Sequence, residues 1–245
     1  MSEHIEIRRD GGIQEIVFDR GDKKNALTLQ MYSDAASALE EAASDDDVRA
    51  VLIWGRGGHF TSGNDLLDFM SDPPTDESSP VFQFLLALRA CPNPVVCAID
   101  GYAIGIGTTM LLHCDLGWAT EEAKFRMPFV DLGLVPEAGS SVVIPAMAGH
   151  RKAAELLYFG DFFDAETARQ TGLINDVVDG DAVAYAREKA LELAEKPPEA
   201  LRLTKELLRK TDDEVVEAAM HREAALFVER LQSQEFMEAV ARFQG

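Results

Sequence analysis

Hydrophobic and polar positions alternate with a period of two near the N-terminus and then change to a helical period. Residues 5–8 and 14–18 alternate on either side of Asp10-Gly11-Gly12, which predicts a β-hairpin. Thr28 is a typical helix N-cap residue, and the apolar positions after it recur at helical spacing. The apolar face of this predicted helix consists of Tyr32, Ala35, Ala36, Leu39, Ala42 and Ala43.

Strand and helix patterns then alternate through the middle of the chain. Apolar runs bounded by turn residues predict strands at 48–54, 95–100, 115–120 and 124–127. Helical spacing predicts helices at 81–90, 108–113, 140–147, 151–159, 165–170 and 181–195. After Lys196-Pro197-Pro198 every pattern is helical, over 200–210, 214–231 and 235–243. We therefore predict an α/β core over residues 1–196 and a C-terminal helical region over residues 197–245.

Two segments of this pattern each have two interpretations. Residues 71–80 are polar, acidic and rich in Pro, and they form either a lid over a bound ligand or a plain surface excursion. The apolar stripe of the helix predicted at 214–231 covers either the core of the same chain or a neighbouring subunit. That stripe consists of Met220, Ala224, Phe227 and Leu231.

Composition excludes several classes of protein. The formal net charge of −20 argues against nucleic-acid binding, which needs a clustered basic surface. No apolar run approaches the roughly 20 residues that a membrane span needs, and the termini lack a signal-peptide pattern and a peroxisomal address. Three cysteines without regular spacing predict no disulfide framework, and five histidines show no metal-ligand spacing. We expect a soluble cytoplasmic protein without a metal.

Two segments rich in small residues carry the candidate chemistry. Phe60-Thr61-Ser62-Gly63-Asn64-Asp65 follows one predicted strand, and Gly101-Tyr102-Ala103-Ile104-Gly105-Ile106-Gly107 follows the next. Backbone N–H groups left free at such corners can point at one bound oxygen, and two of them form an oxyanion hole. The second corner also leads into a predicted helix, whose N-terminus favours an anion.

Taken together, the two segments resemble the enoyl-CoA hydratase/isomerase (crotonase) superfamily. The resemblance covers nearly the whole chain, from Asn25-Ala26-Leu27 through Asp115 to Gly172-Leu173-Ile174. It implies that residues 1–196 form a ββα superhelical spiral with an acyl-CoA site, and that the C-terminal helices assemble a homotrimer or a dimer of trimers. It also implies an acyl-CoA thioester as substrate, a place in fatty-acid metabolism and no separate cofactor, because coenzyme A enters with the substrate.

The resemblance assigns site residues to positions of this chain. The oxyanion donors fall on the backbone N–H groups of Ser62 and Ile106. The positions implied to contact the substrate or its CoA part are Lys24, Asn25, Ala26, Thr61, Gly63, Asn64, Asp65 and Leu66. From its position before a predicted helix, Asp65 is instead expected to be a helix cap.

Basic residues near these positions form a candidate site for the CoA phosphates. Arg20, Lys23 and Lys24 lie together before Asn25, and Arg56 follows a strand nearby in the sequence. In an acidic protein a polyanion must be held by such a local patch, although solvated turn charges are the alternative interpretation. The family's CoA contact near this loop favours a phosphate site.

The proton-transfer residues separate the reactions within the superfamily. The two glutamates with which the family's hydratases activate water correspond here to Thr109 and Phe129, and neither side chain is an acid or a base. Glu137 instead matches the catalytic carboxylate of the Δ3,Δ2-enoyl-CoA isomerases, which also share the Ser62-Gly63-Asn64-Asp65-Leu66 pattern. If Glu137 lines a dry pocket among its apolar neighbours, burial would raise its pKa and improve it as a proton acceptor. The alternative is an exposed glutamate at a helix start, stabilised by the helix dipole. Asp131 has two interpretations, a catalytic acid as in a related subclass or a turn former, and as a loop carboxylate it is expected to be a turn former.

The sequence thus favours an enzyme that converts 3-enoyl-CoA to 2-enoyl-CoA with Glu137 as proton shuttle. One alternative is an enoyl-CoA hydratase that activates water with a single glutamate. An alternative of another class is a non-catalytic, oligomeric member that binds acyl-CoA.

Overall fold

The computed structural model describes residues 3–211 and 213–243. Within these residues the strands are β1 (Ile5–Asp10), β2 (Ile13–Phe18), β3 (Ala50–Gly55), β4 (Val95–Ile99), β5 (Tyr102–Ile104), β6 (Leu116–Thr120), β7 (Lys124–Arg126), β8 (Phe163–Asp164) and β9 (Asp176–Val178). The α-helices are α1 (Leu29–Ser44), α2 (Leu66–Ser71), α3 (Pro80–Ala90), α4 (Ile106–Thr109), α5 (Ser140–Ala148), α6 (His150–Phe159), α7 (Ala165–Gln170), α8 (Ala182–Ala194), α9 (Pro198–Arg209), α10 (Asp213–Leu231) and α11 (Gln234–Phe243). Short 3₁₀ helices lie at Gly21–Lys23 and Met110–His113.

A six-stranded sheet in the order β1-β2-β3-β4-β6-β9 forms the centre of the core. The β1–β2 hairpin is antiparallel and every other neighbouring pair is parallel. Alternate residues of β3 pack on opposite faces: Val51 and Ile53 join the larger apolar cluster, and Ala50 and Leu52 pack with α8 in a second cluster. Helices on both faces explain why the strands are nearly continuous runs of apolar residues.

A second, three-stranded sheet in the order β5-β7-β8 lies beside the large one. The chain alternates between the sheets, since β4 and β6 belong to the large sheet whereas β5 and β7 belong to the small one. This repeated exit from the large sheet brings the segments after β3 and β4 together through a parallel bridge between Thr61 and Ala103.

Most of the predicted elements are present. The hairpin and α1 agree with the prediction, and the hydroxyl of Thr28 accepts a hydrogen bond from the backbone N–H of Met31 at 3.3 Å. The predicted mixed α/β core followed by helices is confirmed. The strand predicted at 124–127 is present as the three-residue β7, whereas the short strands β5, β8 and β9 were not predicted. Pairing with strands that are distant in the sequence defines β5 and β8.

The C-terminal helices cover the core of their own chain. Met220, Phe227 and Leu231 from α10 are buried in the larger apolar cluster, which selects the first of the two interpretations of the stripe. The predicted boundary at residues 196 and 197 falls at the turn before α9. In contrast, α9 exposes large apolar side chains, namely Leu203, Leu207 and Leu208.

No helix in the described part of the chain is long and apolar enough to span a membrane.

Candidate active site

The two predicted corners meet at the carboxyl edge of β3 and β4. Because these strands are parallel neighbours, the segments that leave them emerge side by side. Thr61 donates its N–H to Tyr102 at 2.8 Å and accepts the N–H of Ile104 at 3.0 Å. Gly63 adopts φ +91°, and a Cβ there would lie 2.8 Å from the carbonyl oxygen of Ile104. Glycine therefore permits the close approach of the two corners.

The first corner does not leave free the N–H that was predicted. The N–H of Ser62 donates to the carbonyl of Lys24 at 2.9 Å, and the N–H of Gly63 donates to the hydroxyl of Thr61 at 3.0 Å. The N–H of Asn64 has no acceptor among the described residues. Asn64 lies opposite Leu27 in a parallel bridge. Leu27 donates its N–H to the carbonyl of Gly63 and accepts the N–H of Asp65, so Asn64 makes neither hydrogen bond of the bridge. The N–H of Ser62 is therefore not available as an oxyanion donor, and the free N–H at this corner is that of Asn64.

At the second corner, Ile106 lies at the start of a helix. Gly105 has φ +58° and ψ −120° and acts as the N-cap of α4, so Ile106 is the first residue of that helix. The first N–H groups of a helix have no acceptor within the helix, and no other described residue accepts the N–H of Ile106. Its side chain is buried. Free N–H groups at Asn64 and Ile106 therefore border the same space.

That space is an apolar cavity of about 250 Å³. Its walls come from the two corners, from α2 and α3, from the 128–134 loop and from α10 and α11. The lining residues include Asn64, Leu66, Phe69, Pro74, Val81, Phe82, Ile106, Arg126, Phe129, Leu132, Leu134, Glu137, Phe227 and Phe236. Pro74 is buried in the wall, so the acidic 71–80 loop takes part in closing the cavity.

Glu137 is the one carboxylate among the described residues that line this cavity. Its side chain is buried, its Oε1 accepts a hydrogen bond from the Thr109 hydroxyl, and its Oε2 has no partner among the described residues. Burial raises the pKa of Glu137 to about 8; the hydrogen bond from Thr109 opposes this shift and the negative charge of Glu223 adds to it. The carboxyl group can therefore hold or release a proton near neutral pH.

Two buried side chains hold the backbone of the Glu137 loop. Glu223 of α10 accepts the N–H of Gly139 at 2.6 Å and the N–H of Ser141 at 2.9 Å. His113 Nε2 contacts the carbonyl oxygen of Ala138 at 2.8 Å. Burial lowers the pKa of His113 to about 3, so the ring is neutral and donates this hydrogen bond. Ala138 has φ +61°, an unfavourable value for a residue with a side chain, and these contacts hold it there.

Sequence reasoning missed Glu223 and Tyr32. Glu223 lies three residues after Met220 and four before Phe227, so a carboxylate within the apolar stripe was the available signal. Tyr32 is buried, and its hydroxyl donates to Asn64 Oδ1 at 2.6 Å. Burial and the negative charge of Glu137 both raise the pKa of Tyr32.

The other candidate acids have structural roles. Asp65 caps α2, since its Oδ1 accepts the N–H groups of Leu67 and Asp68, and Asp131 pairs with Arg126 at 2.8 Å. No cluster of three or more His, Cys, Asp or Glu side chains that could hold a metal ion occurs within residues 3–211 and 213–243.

The remaining predicted contact residues divide between the cavity and its supports. Asn64, Gly63 and Leu66 line the cavity. The buried side chain of Asn25 donates to the carbonyls of Arg56 and His59 and accepts the N–H of Arg20, so it ties loops together. Thr61 is also buried and donates to the carbonyl of Asn25, next to the half-buried Ala26.

Two of the four basic side chains of the predicted phosphate site form ion pairs with carboxylates of this chain. Arg20 forms an ion pair with Asp65 at 2.7 Å, and Arg56 pairs with both Glu6 and Asp19. Lys23 and Lys24 are exposed, and no carboxylate of the described residues pairs with either. The Nζ atom of Lys24 lies 4.8 Å from the centre of the Tyr102 ring. The available positive charge is therefore concentrated at the two lysines.

Comparison with known proteins gives one consistent family. A family model described as enoyl-CoA hydratase/isomerase matches residues 8–244. Enoyl-CoA delta isomerase 2 from Rattus norvegicus is 36% identical over 251 residues, which cover 99% of this chain and 63% of that protein. The chain thus spans somewhat less than two thirds of the length of this relative.

Solved structures agree with these sequence matches. The structure of OdaA from Pseudomonas aeruginosa has a TM-score of 0.96 and 45% identity, with 99% of each chain covered. An enoyl-CoA hydratase/isomerase from Pseudoalteromonas atlantica has a TM-score of 0.93 and 39% identity, with 99% of this chain and 97% of that chain covered. The predicted crotonase-like fold is confirmed by these likenesses.

Proposed function

Because the chain belongs to the enoyl-CoA hydratase/isomerase family, we propose that it is an acyl-CoA enzyme that converts 3-enoyl-CoA to 2-enoyl-CoA. The observation that carries this proposal is a single buried carboxylate, Glu137, in an apolar cavity that also contains two free backbone N–H groups. Such a cavity suits an acyl chain, and the three polar groups suit the chemistry at its thioester end. Replacement of Glu137 by Gln, which removes the base and keeps the size of the side chain, tests this proposal.

The two N–H groups form the proposed oxyanion hole. The thioester oxygen accepts hydrogen bonds from the N–H groups of Asn64 and Ile106. When a proton leaves C2, negative charge spreads onto this oxygen, and preformed donors stabilise it more than they stabilise the neutral substrate. The position of Ile106 at the start of α4 adds the favourable end of the helix dipole.

Glu137 is the proposed proton shuttle. In its ionised form it removes a proton from C2, which leaves a dienolate held by the oxyanion hole. The protonated carboxyl group then returns the proton to C4, and the double bond becomes conjugated with the thioester. One carboxyl group serves both carbons, which suits a 1,3-shift, and the proposed reaction uses no metal or redox cofactor.

The hydratase alternative lacks the residues for its usual mechanism. Thr109 and Phe129 occupy the positions of the two water-activating glutamates, and Phe129 lines the cavity as an apolar wall. A non-catalytic acyl-CoA-binding member would gain nothing from burying Glu137, because burial of an ionisable group without a full set of partners costs stability.

Lys24 is proposed to contact the CoA phosphates. Charge reversal in Lys24→Glu is expected to weaken CoA binding about fivefold, since an exposed ion pair contributes ~1 kcal/mol. The wild-type affinity should also fall as salt rises. Titration calorimetry at two ionic strengths measures both effects. Lys196→Glu makes the same charge change at another exposed lysine, outside the cavity lining, and is expected to leave affinity nearly unchanged. Equal affinities of Lys24→Glu and wild type would remove Lys24 from the site.

Assembly into a homotrimer or a dimer of trimers is proposed through α9 rather than through the buried stripe of α10. Leu207 and Leu208 are 69% and 76% exposed, and an exposed apolar face of this kind is typical of an interface. Light scattering at micromolar concentration is expected to give a trimer or a multiple of it, and Leu207→Glu is expected to reduce the mass. A wild-type monomer would contradict the proposal.

A further inference from the structure

The two oxygens of the Glu137 carboxyl group have different surroundings. Oε1 accepts the hydrogen bond of the Thr109 hydroxyl, whereas Oε2 is buried and has no hydrogen-bond partner among the described residues. Thr109 itself is fully buried on α4, three residues after Ile106. The same short helix therefore presents one candidate oxyanion donor and one hydroxyl directed at the carboxyl group.

We propose that Thr109 is a positioning residue that holds Oε1 of Glu137 and thereby makes Oε2 the oxygen that moves the proton. This inference rests on the proposed isomerase function and specifies how its base is oriented. It also gives a role to a position that, in the hydratases, would carry a glutamate. Here the hydroxyl serves the one remaining carboxylate.

The residues that hold the backbone of the Glu137 loop do not orient its carboxyl group. Glu223 and His113 fix the backbone at residues 138–141, but neither makes a hydrogen bond to the Glu137 carboxyl group. The carboxyl group can therefore still rotate about its terminal bond unless a side chain holds one oxygen. Among the described residues only Thr109 donates a hydrogen bond to it.

The hydrogen bond from Thr109 suits both protonation states of Glu137. The Thr109 hydroxyl has one proton, and its other acceptor within reach, the carbonyl oxygen of Gly105, is farther away at 3.4 Å. When Glu137 is ionised, the hydroxyl donates to Oε1. When Oε2 carries the proton, the same hydrogen bond to Oε1 persists, so the proton-bearing oxygen stays directed away from Thr109. Oε2 thus accepts the proton and returns it without rearrangement of its neighbours.

Electrostatics give this contact a measurable signature. Burial and the charge of Glu223 raise the pKa of Glu137, and the hydrogen bond from Thr109 lowers it. Among the described residues, the other titratable or charged groups at this site are Tyr32 on α1, whose pKa is raised, His113, which is neutral, and Arg126, which lines the cavity and pairs with Asp131. Loss of the hydroxyl is therefore expected to raise the pKa of Glu137 further.

The test compares Thr109→Val, which keeps the shape but removes the hydroxyl, with Thr109→Ser, which keeps the hydroxyl. In Thr109→Val we expect the rise of kcat/KM with pH to move from about pH 8 to about pH 9 or above, because a hydrogen bond to a charged group changes a pKa by about one to two. At pH 7 this lowers kcat/KM about 10- to 100-fold. Thr109→Ser should retain the wild-type midpoint.

A matched control is available on the same helix. Thr108 is equally buried, but its hydroxyl contacts the backbone carbonyls of Ala103 and Arg126 and not Glu137. Thr108→Val is expected to leave the midpoint of the pH profile unchanged even if stability falls. A uniform loss of activity at every pH in Thr109→Val, or equal midpoints in Thr109→Val and wild type, would overturn the positioning role. A wild type without isomerase activity would instead overturn the proposed function.

Discussion

Replacing Glu137 by Gln is expected to lower isomerisation of 3-enoyl-CoA by about 10²- to 10⁴-fold while CoA binding stays nearly intact. Gln has the size of Glu and can still accept the hydrogen bond from Thr109, but it cannot take a proton from C2. The N–H groups of Asn64 and Ile106 and the exposed lysines Lys23 and Lys24 are untouched. The effect should therefore lie in kcat, with CoA affinity measured separately by calorimetry.

The pH profile of the wild type provides a second test of the same assignment. The base must be ionised, so kcat/KM is expected to rise with pH and level off above the pKa of Glu137, about 8. Glu137→Gln should lack this dependence. Asp131→Asn is the matched control, because Asp131 also lies in a loop before α5 but pairs with Arg126. We expect Asp131→Asn to keep most of the turnover and the wild-type midpoint.

Hydration of 2-enoyl-CoA is the companion assay. With Phe129 and Thr109 in place of the two water-activating glutamates, the wild type is expected to form 3-hydroxyacyl-CoA slowly. Fast hydration that survives the change of Glu137 to Gln would overturn both the base and the reaction class.

The raised pKa of Glu137 also predicts the folding behaviour of this variant. Between about pH 4.5 and 8 the folded wild type holds a proton that the unfolded chain has lost, so its free energy of unfolding falls as pH rises through this range. Gln does not titrate. Relative to the wild type, Glu137→Gln should therefore gain several kcal/mol of stability from pH 5 to pH 8, at about 1.4 kcal/mol per pKa unit. Equal pH dependence in denaturant titrations would show that the carboxyl group is not buried as described.

The extent of sequence prediction is clearest at the first corner. The small residues and their order located the corner, but they did not identify the free N–H. Which N–H is free depends on Lys24 and Leu27, which lie more than 30 residues earlier in the chain. Lys24 accepts the N–H of Ser62, and Leu27 bonds to the residues on either side of Asn64. Which backbone groups remain free is a property of this long-range pairing, and local pattern does not contain it.

The contact between Glu223 and the Glu137 loop was likewise not predictable from local sequence. The family resemblance indicated that Glu137 lies in the site, whereas the local sequence alone favours an exposed carboxylate before a helix. Glu223 accepts the N–H of Gly139, which lies 84 positions earlier in the chain. Only the packing of α10 against α5 brings these two residues together. The stripe on α10 was visible in the sequence, but the element that it covers was not.

Ile106→Pro is expected to lower kcat by about 10²- to 10³-fold, because it removes one oxyanion donor, worth about 2.7–4 kcal/mol of transition-state stabilisation. Proline is tolerated at the first position of a helix, where its missing N–H breaks no helical hydrogen bond. The preceding residue is Gly105, which has no side chain to clash with the proline ring. The backbone of α4 should therefore persist while the donor is lost.

The control for the lost side chain is Ile106→Val, which trims the same buried position but keeps its N–H. Ile106→Val is expected to retain most of the turnover, and circular dichroism should show both variants folded. Because the ground-state thioester carries little charge on its oxygen, the loss in Ile106→Pro should appear mainly in kcat, with a small change in CoA affinity. If Ile106→Pro and Ile106→Val lose equal activity, the side chain rather than the N–H is responsible, and Ile106 is not an oxyanion donor.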